Sequence, residues 1–159
     1  MLDVDIVRGM LGGWLADPGQ AGRIARRMAI EMARVQLLGA RDVIVPQFLG
    51  QLPFVLDLER LCREVAAEFV EVALVGDPDE AAARFARRSA DPQTPEHRDA
   101  TALQQRVGGP AALPAQYERL LAVIAARPAT RTITVVDGEI DQAYAALLGA
   151  VAGPASRAE

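Results

Sequence analysis

The chain has 159 residues, 51% hydrophobic and 24% charged, with a formal net charge of −4 and a mean hydropathy of +0.13. That length suits one domain, and that much apolar mass excludes a disordered chain and supplies a core. The acidic balance speaks against a broad nucleic-acid footprint. No uninterrupted apolar run is long enough to span a bilayer, and the acidic start Met1-Leu2-Asp3-Val4-Asp5 lacks a signal peptide's basic n-region, so a soluble cytoplasmic protein is expected.

The first pattern along the chain is Asp3-Val4-Asp5-x-x-Arg8. A helix beginning near Asp5 makes Asp5 and Arg8 neighbours on one face. Two carboxylates and a guanidinium so placed can orient a hydroxyl, accept its proton and hold an anion. They equally describe an N-cap with a surface ion pair. Residues 18–38 read as a helix, with Asp17 as cap, Gly39 as stop, and Ile24, Met28, Met32 and Val35 on one stripe. Residues 41–45 form a short β-branched run that reads as a buried strand. It ends at Pro46-Gln47, where Gln47 is placed to touch a ligand or to satisfy a loop amide.

Residues 53–69 give a second helix, through Leu56, Leu61, Val65 and Phe69. Residues 69–75 give a second strand and residues 78–88 a helix capped by Asp77. That helix carries Arg84-Phe85-Ala86-Arg87-Arg88. At i,i+4 spacing Arg84 and Arg88 project together and suit phosphate oxygens or the face of a base. Favourable charge at a helix C-terminus, with Glu80 paired to Arg84, explains the same residues. Residues 90–109 lack a core pattern and contain Pro92, Pro95, Gly108 and Gly109, which reads as a functional lid or a disordered loop. His97 within it reads first as a surface or capping residue. Residues 110–127 are helical, 132–136 form a third strand, and 141–151 form the last helix. Asp137-Gly138 between the last two is a turn or a nucleotide-contacting loop.

Strands alternating with helices predict βαβ units: an α/β fold of three layers, α/β/α, around a parallel sheet. Ligands gather at the carboxyl ends of such strands. The rim would then hold Pro46-Gln47, Gly76-Asp77 and Asp137-Gly138. Missing residue types narrow the chemistry. One cysteine, Cys62, and one histidine, His97, exclude a Cys/His zinc site and a disulfide framework. Neither Ser89 nor Ser156 sits in a G-x-S-x-G elbow. All 17 basic residues are arginine, which excludes Schiff-base chemistry and a lysine phosphate cradle.

In this order the pieces resemble the small P-loop kinases of the zeta-toxin-like group. More distantly they are similar to adenylate, shikimate and gluconate kinases and to chloramphenicol phosphotransferase. Leu2-Asp3-Val4-Asp5-Ile6-Val7-Arg8-Gly9 looks like the segment after the family's second strand. The resemblance implies Asp5 as general base, Asp3 near a magnesium ion and Arg8 near the acceptor. Val43-Ile44-Val45-Pro46-Gln47 takes the place of the strand ending near Walker B, with Gln47 towards the substrate. Arg84-Phe85-x-x-Arg88 resembles the start of a lid at about 84–109, whose arginines cover adenine and reach the transferring phosphate. That gives Arg84 and Arg87 to the nucleotide and Arg88 to catalysis. Val135-Val136-Asp137-Gly138-Glu139-Ile140-Asp141 resembles the last strand and adenine loop, with Asp137 and Gly138 on the nucleotide. ATP and Mg²⁺ are the implied cofactors, and a small hydroxyl-bearing molecule is the implied acceptor.

The family opens with a strand, a G-x-x-x-x-G-K-[ST] loop and a helix, and the 159 residues contain no such loop. The expected fold is therefore P-loop NTPase-like over residues 1–153, first strand and P-loop absent, followed by a disordered tail at 154–159. Because that loop supplies most of the phosphate positioning, the chain as given is expected to be an N-terminally truncated, inactive phosphotransferase. The alternative is a non-catalytic binding module, which leaves open a homo-oligomer through an exposed sheet edge. Nucleic acid and membrane are not expected partners.

Overall fold

The computed structural model describes residues 1–47, 52–93, 95–106 and 108–153, except the side chains of 95–97. It is a mixed α/β protein, mostly helical, with one two-stranded parallel sheet among the described residues. The chain divides into two compact units, Met1–Phe69 and Val70–Glu159. Among the described residues no helix is long and apolar enough to cross a membrane.

The first unit is helical. Helix α1, Val4–Gly9, starts at Asp3, whose carboxylate accepts the Asp5 N–H at 2.8 Å. Helix α2, Pro18–Leu38, starts at Asp17, which accepts from Gln20 N at 2.9 Å, and Pro18 sits where its missing N–H costs nothing. Helix α3 is Leu52–Glu64. Both α2 and α3 stop on a left-handed alanine, Ala40 (φ 55°) and Ala66 (φ 56°). The following amides, Arg41 and Ala67, reach back to the carbonyls of Gln36 and Cys62. The expected stop at Gly39 holds, since Gly39 is the C-cap of α2, but with φ −83° it leaves the left-handed turn to Ala40.

The core of this unit does not lie on the expected face of α2. Ala21, Ala25, Ala29 and Ala33 are buried, with Ala25 and Ala29 fully enclosed by Val4, Val7 and Phe54. Ile24, Met28 and Met32 are about two-fifths exposed and Val35 is 69% exposed. At 100° per residue the two stripes lie roughly 90° apart. The alanines win the inner face because a methyl group lets α1 and α3 approach the α2 backbone closely.

The expected strand at 41–45 is not formed: 41–47 is extended chain without a ladder. Beyond the Arg41 bond back to α2, the backbone bond it makes among the described residues runs from Leu2 N to the Ile44 carbonyl, 2.7 Å. β-Branched residues favour extension, but a strand needs a partner along its length.

The second unit contains strand β1, Val72–Val75, and strand β2, Arg131–Thr134, which pair in parallel with Val72 opposite Arg131. Helix α4, Pro78–Ala90, is capped by Asp77, which accepts from Asp79 N and Glu80 N, both at 2.9 Å. The expected loop at 90–109 instead holds helix α5, Pro95–Arg106. Gln104 is buried there and donates to the Gly109 carbonyl at 2.7 Å, tying α5 to a 3₁₀ turn at Gly109–Ala112. Gly108 and Gly109 both have positive φ, 109° and 65°, which is why glycines join these two pieces. Helix α6, Leu113–Ala125, and helix α7, Ile140–Ala152, complete the unit. Glu71 and Arg127 form a largely buried ion pair at 2.6 Å, fixing the approach to β1 against the turn that leads into β2.

Candidate functional site

Two groups of the expected site residues assemble, one in each unit. In the first, Asp3, Asp5 and Arg8 share the opening turn of α1. Arg8 Nη1 donates to Asp5 Oδ1 at 2.9 Å, the i,i+3 contact that the spacing predicts. The Arg8 side chain is only 12% exposed, and its guanidinium lies 4.8 Å from the centre of the Trp14 ring. Its Nε is buried without a hydrogen-bond partner. Asp3 spends one carboxylate oxygen on the helix cap. Gln47 is half-buried in the extended segment, with a buried, unpartnered Oε1, and makes no hydrogen bond to the α1 group.

In the second unit, parallel pairing of β1 and β2 brings their carboxyl ends together. Asp137, three residues beyond β2, receives Arg84 Nη1 on one oxygen at 3.0 Å and Arg87 Nη2 near the other at 3.7 Å. Gly138 follows with φ 84°, a turn that keeps the Asp137 carboxylate at the strand end. At the end of β1, the Gly76 carbonyl accepts from Tyr117 Oη at 2.5 Å. A Cβ on Gly76 would stand 3.2 Å from Val135, so glycine also sets the close approach of the two strand ends. The arginines pair otherwise than their spacing predicts. Arg84 converges with Arg87, three residues on, whereas Arg88 turns away and lies 5.5 Å from the Phe85 ring. Arg84 also takes Asp137 in preference to the expected helix partner Glu80.

Several residues that shape these groups carry no expectation from sequence. Trp14 and Tyr117 are visible only as an isolated aromatic and as a helix-stripe residue. Among the described residues no ion pair joins Arg23 or Arg26 on α2 to a carboxylate, although Asp17 Oδ1 and Arg23 Nη1 both lie beside Gly19. Burial, then the nearby charges of Arg23 and Arg8, hold the Arg26 guanidinium below its ordinary pKa. His97 falls within α5, and its side chain lies outside the described residues, as does the tail at 154–159. Among the described residues no three His, Cys, Asp or Glu side chains converge as a metal site would require. Separately, α2 and α3 enclose an open groove of about 630 Å³ lined by Ile24, Met28, Met32, Arg60 and Glu64 among others.

Comparison with family models, curated proteins and solved structures found no match.

Proposed function

We propose that the chain carries the acceptor-side and lid-side parts of an ATP-dependent small-molecule phosphotransferase of the P-loop kinase type. The observation that supports this is the gathering of Arg84, Arg87 and Asp137 at the carboxyl end of a parallel strand pair, across 53 residues of sequence. Paired guanidinia at that edge match the planar, multidentate recognition of phosphate oxygens. Within the first unit, the same reading gives Asp3, Asp5 and Arg8 acceptor-side roles: Asp5 would be base for the acceptor hydroxyl and Arg8 would hold the acceptor, with Gln47 as a further contact. Arg88, stacked on Phe85, would turn inward to reach the transferring phosphate. Asp3 keeps one free oxygen, and a single carboxylate is what a nucleotide-bound Mg²⁺ commonly asks of a protein. The ion would neutralise phosphate charge there.

The finer architecture in this reading is a three-layer sheet with more strands than two. Parallel pairing turns the amides and carbonyls of Glu71, Ala73 and Val75 towards β2, as the bonds from Arg131 N and Val135 N show. Those of Val72 and Leu74 face the other way, and Leu74 is half exposed. A neighbouring strand on that edge satisfies them. Phosphoryl transfer also needs a phosphate loop, which these 159 residues do not contain, so the chain alone is expected to bind nucleotide weakly and turn over nothing. The test is binding of Mg-ATP by calorimetry, comparing the unaltered chain with Arg84→Gln/Arg87→Gln. Weak binding lost in the double variant supports the reading; no binding, or binding that ignores both arginines, refutes it.

The same open edge of β1 favours a second reading, an interaction module that pairs with another copy of itself. It predicts a mass that grows with concentration in light scattering and collapses to the monomer in Leu74→Lys. A monomer at every concentration excludes it.

A further inference from the structure

Helix α2 has two apolar faces, and the first unit packs only one of them. The alanine ladder is enclosed, whereas Ile24, Met28, Met32, Val35 and Leu38 stay 39% to 69% exposed on the neighbouring face. At 1.5 Å per residue that stripe runs about 21 Å. A contiguous apolar strip on an ordered helix marks an interaction surface in a way that scattered exposed residues do not. Its charged surroundings are balanced. The groove beside it is lined by three arginines, Arg27, Arg34 and Arg60, and three acids, Glu31, Asp57 and Glu64. Such a surface gives little hold to a strongly acidic or basic partner, but it can complement itself.

One charge lies inside the stripe rather than beside it. Helical phase puts Glu31 within about 20° of Ile24, and lengthwise it falls between Met28 and Val35. Arg34 Nε approaches it at 3.4 Å, but Arg34 Nη2 is held by Glu64 at 2.7 Å. Arg27, one turn earlier, is exposed, lines the groove and makes no ion pair among the described residues. A purely apolar occupant would strand the Glu31 carboxylate away from water. The occupant must therefore bring a cation to Glu31, an acid to Arg27 and apolar groups on either side. We infer that a second copy of this chain docks here, its own α2 antiparallel to the first about a two-fold axis level with residues 29 and 30. In that register Arg27 of each copy meets Glu31 of the other, so one pairing is made twice, and Ile24 meets Val35. Met28 lies beside the axis, where a flexible thioether fills the gap between two identical surfaces. Parallel pairing is excluded by the same charges, because it sets Glu31 against Glu31 and Arg27 against Arg27. A strip this short is small beside the roughly 1,200–2,000 Å² of a stable interface, so the dimer is weak and dilute solutions hold the monomer. The inference uses no residue of the proposed phosphotransferase groups or of the open β1 edge.

The experiment is sedimentation velocity on the full chain across a concentration series, with circular dichroism to verify that each variant keeps its helices. The unaltered chain is expected to pass from monomer to dimer as concentration rises. Arg27→Glu and Glu31→Arg each set like charges across the axis and should weaken self-association at least about tenfold. An equimolar mixture of the two variants should dimerise again, because each then carries one sign at both positions and meets the opposite sign on the other. Repulsion within one helix cannot produce that rescue, since each variant keeps its own like pair in the mixture. Leu74→Lys, which breaks pairing through the β1 edge, should leave this dimer intact. A monomer at every concentration overturns the inference, as it would if the second unit of the same chain covered the stripe. A dimer indifferent to both reversals, a dimer abolished by Leu74→Lys, or a mixture that stays monomeric overturns it too.

Discussion

Which face of α2 is the core can be decided by two substitutions one residue apart. Ala29 is fully buried among Val4, Val7, Ala25 and Phe54, so Ala29→Leu forces three extra carbons into a space already closed. Overpacking of that kind costs about 3 kcal/mol, at the upper end of its usual range because α1 and α3 must both move. Met28 is 39% exposed and lines an open groove, so Met28→Ala gives up only part of a side chain's transfer energy and leaves no sealed cavity. Its cost is about 1 kcal/mol, further offset by the better helix propensity of alanine. Urea unfolding followed at Trp14 measures both. A leucine tolerated at 29 together with a loss above about 2 kcal/mol at 28 would show that the methionine stripe, not the alanine ladder, is the packed face.

Three further outcomes can be checked by the same means. Ala40→Gly and Ala66→Gly relieve left-handed alanines at two exposed helix ends, and each should raise stability by about 1 kcal/mol; a loss at both positions would refute the left-handed turns. Glu71→Ala removes the 2.6 Å ion pair of a mostly buried Arg127 and should cost about 2 kcal/mol, with Glu71→Gln milder. A double-mutant cycle with Arg127→Ala that shows no coupling would mean that the pair contributes nothing. Burial, and then the charge of Glu59, push the Cys62 thiol above its ordinary pKa. A raised folded-state pKa means that the unfolded chain gives up its proton first. The associated stability is therefore intact below the unfolded thiol's pKa and lost as pH rises through the folded one, a dependence that Cys62→Ala should flatten.

Local chemistry was legible and long-range pairing was not. Asp17-Pro18 and Asp77-Pro78 fix the starts of α2 and α4 because a cap is a matter of three or four consecutive residues. The Asp5–Arg8 contact follows from helical spacing alone. Helix α5 escaped notice because Pro95–Arg106 holds good helix formers without a stripe of apolar residues to betray them. The run 41–45 has strand composition, but composition cannot provide the neighbouring strand. Arg84 meeting Asp137 depends on β1 and β2 lying side by side, and no spacing encodes that. The methionine stripe misled for a different reason: hydrophobicity ranks methionine above alanine, whereas close helix contact ranks the smaller residue first.

Every fully buried hydrophobic side chain among the described residues belongs to the first unit, from Val4 to Cys62, while the second buries only Gln104. Hydrogen exchange should feel that asymmetry. Amides of α2 are expected to be protected for as long as the alanine-lined core survives, and those of β1 and β2 to exchange through shallower openings. Unfolding then proceeds in two stages, and the probe chosen determines which is seen. Trp14 reports the first unit, whereas both tyrosines, Tyr117 and Tyr144, sit in the second. A melt read from tryptophan alone would credit the whole chain with the stability of its better-packed part.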